Sequence, residues 1–118
     1  MNADIASQVL APYEGAITVT SVTAGAASAA ITIAAVTGGA YAMLAIDDGS
    51  GADSGAYLTA RSGAAPADPD PTATSGTGRC MWFSPESLRS LTFRSADQIK
   101  VYVPGSGTYY VRQYRSSP

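Results

Sequence analysis

The stretch from Ile99 to Arg115, IKVYVPGSGTYYVRQYR, alternates apolar with polar residues on both sides of a Pro-Gly-Ser-Gly turn. A period of two is the signature of strands with one buried and one exposed face. Ile99, Val101 and Val103 fall on one side of the first run, with Lys100 and Tyr102 on the other, and Tyr109 and Val111 alternate with Tyr110 and Arg112 in the second. Two strands joined by so short a turn are expected to form a β-hairpin. A two-residue Gly105-Ser106 loop would set Val101 opposite Tyr110 and Ile99 opposite Arg112, mixing apolar and charged side chains on one face. A loop of Gly105, Ser106 and Gly107 sorts them: Val103 faces Tyr109, Val101 faces Val111, Tyr102 faces Tyr110 and Lys100 faces Arg112. The second register is the one expected, with Gly107 left-handed in a bulged turn.

The preceding residues repeat the pattern in smaller side chains. Ile17 and Val19 alternate with Thr18 and Thr20; Ile31 and Ile33 with Thr32 and Ala34; Tyr41, Met43 and Ala45 with Ala42, Leu44 and Ile46. Ala56 to Ala60 reads as a further short strand, Cys80 to Phe83 as an apolar one, and Leu91 and Phe93 lead back into β-structure. Ser84-Pro85-Glu86 has the order of a helix start, with Ser84 as cap and Pro85 at the first helical position, so residues 85–89 are expected to make one turn. The chain has 118 residues, enough for one domain that buries roughly two thirds of its unfolded surface. The expected fold is all-β: a single-domain antiparallel β-sandwich or jelly roll of about seven or eight strands. It spans residues 15–118 and follows an arm over residues 1–14.

That arm, MNADIASQVLAPYE, is weakly amphipathic through Ile5, Val9 and Leu10 and is stopped by Pro12. It lacks the basic start and apolar run of a signal peptide, and Asp4 argues against one, so no export signal is expected. Gly15 to Ile46 carries no charge, but Thr, Ser and the Gly38-Gly39 pair interrupt it at strand period, which argues against a membrane span. Residues 62–78 hold three prolines, three glycines and no large apolar side chain. They are expected to form a mobile loop outside the core.

Composition removes several chemistries. There is no histidine and a single cysteine, Cys80, so no Ser-His-Asp or Cys-His unit, His-ligated zinc site, Cys₂ cluster or internal disulfide can form. Cys80 lies beside Met81 and Trp82 and reads as a packed structural thiol. The acids fall in the arm, in loops or beside turns, not as a pair across a cleft. The glycines of DDGSGADSG lead into a strand with no Lys-Ser or Lys-Thr after them. Asp47, Asp48 and Asp53 in that run could supply oxygen ligands to calcium, but the spacing is not that of an EF-hand and no bidentate glutamate follows; a solvated turn is expected. No catalytic residue, metal or cofactor is expected, and the protein is expected not to be an enzyme.

Charge and aromatics point instead to binding. Residues 1–78 carry seven acids and one base, residues 79–118 six bases and two acids. On the expected hairpin, Lys100, Tyr102, Tyr110 and Arg112, with Tyr114 nearby, form an exposed Tyr/Arg face of the kind enriched at protein interfaces. Ile5, Val9 and Leu10 offer the arm as a second contact. Overall acidity and a single lysine argue against nucleic acid. Trp82, the only tryptophan, is expected to anchor the core or an interface.

Taken together, the short arm, Ala/Thr/Gly-rich strands such as GAITVTSVTA, the Pro/Ser/Gly loop and the closing LTFRSADQIKVYVPGSGTYYVRQYR resemble the small all-β virion proteins of tailed bacteriophages, in particular capsid decoration (cement) proteins. The resemblance is one of style and assigns no residue a role. It implies a protein made in the host cytoplasm and carried on the virion, a homo-oligomer with a trimer favoured, whose partner is the major capsid protein or another virion protein and which staples neighbouring capsomers. The other reading of the residues is a carbohydrate-binding module with Trp82 and the tyrosines as a stacking platform.

Overall fold

The computed structural model describes residues 16–34, 41–76 and 78–115. Among these residues seven strands form two antiparallel sheets: β1 (Ala16–Thr23), β2 (Ile31–Thr32), β3 (Ala42–Asp47), β4 (Ala56–Ser62), β5 (Met81–Phe83), β6 (Asp97–Tyr102) and β7 (Thr108–Arg115), with one short helix, α1 (Pro85–Ser90). The three-stranded sheet has the order β1-β7-β3 and the four-stranded sheet β2-β6-β4-β5. This is the small all-β sandwich that the alternation implies. Leu91 and Phe93 do not make a strand; Phe93 forms only a single bridge to Ala42. Ser84 caps α1 by accepting from the Ser87 N–H, and Pro85 opens the first turn. Leu88 on that helix is fully buried. None of the helices among the described residues is long and apolar enough to cross a membrane.

The expected hairpin does not exist. β6 pairs with β2 and β4, and β7 pairs with β1 and β3, so the Pro104–Gly107 turn carries the chain from one sheet to the other. The face assignment nevertheless holds: Ile99, Val101, Val103 and Val111 are all buried. They meet across the core, face to face, and not as neighbours on one sheet. Two observations explain the outcome. Pro104 has no N–H to donate to the hairpin ladder at the rung that would close the turn. The turn's own carbonyls are also taken by the other crossover, the one between β1 and β2, because the Ala24 N–H donates to Gly107 O at 2.9 Å and the Gly25 N–H to Val103 O at 2.8 Å. The two crossovers brace each other, and β6 and β7 each have a strand on both sides in their own sheet.

Among the described residues one polar side chain sits in the core. Gln113 is fully buried on β7 and reaches across to β2: its Oε1 accepts from the Ala34 N–H at 2.9 Å and its Nε2 donates to Thr32 O at 3.2 Å. The carboxamide thus supplies the two-residue strand β2 with the backbone partners that a further strand would otherwise provide.

Candidate interaction faces

The crossover splits the expected binding patch. Lys100 and Tyr102 lie on the outer face of the four-stranded sheet, and Tyr110, Arg112 and Tyr114 on the outer face of the three-stranded sheet, on opposite surfaces of the sandwich. Ile5, Val9 and Leu10 fall outside the described residues.

On the three-stranded sheet, Arg112 is held from two sides. Its Nε donates to Asp47 Oδ2 at 2.5 Å and its Nη2 to Asp47 Oδ1 at 3.2 Å, and its guanidinium carbon stands 5.7 Å from the centre of the Tyr110 ring. The Tyr110 ring lies against Gly49, where a Cβ would come within 2.9 Å of its Cε2. Gly49 also adopts a φ of +86°, so two independent demands select glycine there. Val19, 48% exposed, stands opposite Arg112 on β1.

The DDGSGADSG turn closes on itself and on the two arginines. Asp47 Oδ1 also accepts from the Gly49 N–H. Asp48 Oδ1 takes the Ser50 N–H, the Ser50 hydroxyl and the Ala52 N–H. Asp53 pairs with Arg89 of α1. The three carboxylates therefore have three different partners, and among the described residues no three His, Cys, Asp or Glu side chains gather as a metal-binding group. The bond from Arg112 holds the Asp47 carboxyl below the ordinary aspartate range, and the Ser50 hydroxyl does the same for Asp48. A carboxylate whose pKa is lowered by folding contributes stability above its unfolded pKa and loses it as pH falls through the folded one. The melting temperature should accordingly be level from pH 7 to about 5 and fall below about pH 4, and the acid-side fall should be shallower in Asp47→Asn. Parallel acid limbs for the two proteins would show that the Asp47–Arg112 pair contributes nothing.

The four-stranded sheet carries an aromatic row. Tyr57 on β4 stands opposite Trp82 on β5 and Tyr102 on β6, with ring centres 5.2 Å and 6.3 Å away and planes at 61° and 73°. These are edge-to-face contacts, so the row is ridged and not a flat shelf. Trp82 is 48% exposed and belongs to this face, not to the core. The proline-rich loop lies along the same sheet. Thr59 Oγ1 donates to Ala67 O at 2.6 Å, Lys100 pairs with Asp68 at 2.6 Å, and Pro66 and Pro69 are buried. Between loop and sheet runs a shallow groove of about 410 Å³, lined by Tyr57, Tyr102, Pro69, Asp70, Pro71 and Thr72 among others. At the foot of the loop, burial pushes the Cys80 thiol up, the direction opposite to that of a nucleophilic cysteine.

Tyr57 was the missed member of this row. Its signal was present in GAYLTARS, where Tyr57, Thr59 and Arg61 alternate with Ala56, Leu58 and Ala60, but nothing local tells that Trp82 and Tyr102 flank it. The chain matches no family model, no curated protein and no solved structure.

Proposed function

We propose that this protein is a non-enzymatic structural protein of a virion, a capsid decoration protein that binds the outside of a phage head and stabilises capsomer contacts. It works by buried surface, with the major capsid protein or another virion protein as partner and a homo-oligomer, a trimer by preference, as the working form. The observation that carries the reading is that the edge strand β5 leaves two large apolar side chains exposed on successive residues, Met81 at 68% and Trp82 at 48%, with Trp82 on the outer face opposite Tyr57 and Met81 opposite Leu58. Large apolar side chains exposed on an edge strand favour a partner over solvent. The Tyr110–Arg112 cluster on the opposite surface adds a second contact of interface composition. Mass spectrometry of purified particles from the phage that encodes the chain tests this: many copies per capsid are expected.

The groove beside Tyr57 and Tyr102 favours a second reading, a carbohydrate-binding module, because aromatic edges beside the carboxylate of Asp70 and the hydroxyl of Thr72 suit the CH and OH groups of a sugar. Particles that lack the chain, together with a change in Trp82 fluorescence on adding host-surface oligosaccharides, would move the function to that reading.

A further inference from the structure

We propose that a groove beside β5 seats residues 1–14 of a second copy of this chain, so that the protein assembles head to tail. β5 pairs with β4 only over Ala56–Leu58, whereas β4 runs on to Ser62. Past Leu58 the outer edge of β4 has no strand beside it among the described residues, and there a groove of about 560 Å³ opens, lined by Leu58, Ala60, Arg61, Arg79, Met81 and Phe83 among others. It brings together two of the three arginines, Arg61, Arg79 and Arg94, whose side chains hold no acid among the described residues. Arg89, Lys100 and Arg112 each hold an aspartate, while the side chains of Arg61 and Arg79 have no partner among the described residues. An apolar floor, an open strand edge and two unpaired arginines call for an extended segment that brings apolar side chains and carboxylates together.

Residues 1–14 have that composition: Ile5, Val9 and Leu10 with Asp4 and Glu14 as the only charged side chains. The other acidic stretches are engaged, since Asp47, Asp53 and Asp68 hold arginine or lysine and Asp48 and Asp70 accept from their own turns. The topology directs the contact to another copy. β1, which the arm leads into, is the outer strand of its sheet and flanks the residues leading into β2. β5 is the outer strand of the other sheet, on the side where α1 packs against β3 and β5. The start of β1 and the groove therefore lie on opposite flanks of the sandwich. A contact between two different patches on opposite flanks is heterologous and closes into a ring when the rotation allows. The proposal adds to the function above the way the copies join, and it does not rest on that function.

Sedimentation velocity on the full chain tests it with a charge swap. The wild type is expected to self-associate with rising concentration, and Arg61→Glu/Arg79→Glu and Asp4→Lys/Glu14→Lys are each expected to weaken this on the order of tenfold. An equimolar mixture of the two variants is expected to associate again, because the acidic arm of the first meets the arginines of the second and the lysine arm of the second meets the glutamates of the first. Arg61 and Arg79 are exposed, and Asp4 and Glu14 precede the first strand, so melting curves should match the wild type. A wild type that stays monomeric, variants that associate as it does, or a mixture that behaves like its separate components overturns the proposal. None of these outcomes touches the copy number on particles.

Discussion

Gln113→Leu is expected to destabilise the sandwich by about 2 to 5 kcal/mol, although it places an apolar side chain of similar size in a fully buried position. The carboxamide holds the Ala34 N–H and the Thr32 carbonyl at 2.9 and 3.2 Å in part-buried bonds, and leucine leaves both without that partner. Each stranded group costs about 1 to 3 kcal/mol, and for a domain of this size the sum lowers the melting temperature by roughly 10 °C or more. Amide exchange gives the specific readout: the Ala34 N–H should exchange faster while the inner strands β6 and β7 lose protection only in proportion to global stability. A variant within about 0.5 kcal/mol of the wild type would mean that the carboxamide is not what ties β2 to the sandwich.

Gly55→Val is the second large effect. Gly55 is buried ahead of β4, where a Cβ would overlap the Phe83 carbonyl oxygen and lie 2.7 Å from Trp82 Cζ2. The carbonyl is backbone of β5 and cannot turn aside, so β5 has to move off β4 or the fold has to strain, at about 3 kcal/mol or more. Trp82 reports it directly, because its emission should shift as its contact with Tyr57 opens. Gly51 is the control. It has a φ of +97° and open space around it, so Gly51→Ala meets backbone strain alone, about 1 to 2 kcal/mol, and leaves Trp82 undisturbed. Equal losses at the two sites, or an unchanged emission in Gly55→Val, would refute the close packing of β5 on β4.

The sequence by itself determined which side of β6 and β7 faces inward, because burial there alternates with a period of two and that period is local; on β1, whose register shifts near its start, Val19 is instead exposed and Val22 buried. It also marked the strands and the Ser84-Pro85 helix start, since capping and alternation act over a few residues. Only the tertiary structure decided which strands are neighbours. Val101 and Val111 satisfy the same apolar demand whether they sit side by side in one sheet or meet across two, and the ladder hydrogen bonds that choose between these join chemically identical backbone groups far apart in the chain. That choice sent Lys100 and Tyr102 to one surface and Tyr110, Arg112 and Tyr114 to the other. It brought Tyr57 between Trp82 and Tyr102, and it buried Gln113, polar in the sequence, where its amide completes the edge of another sheet.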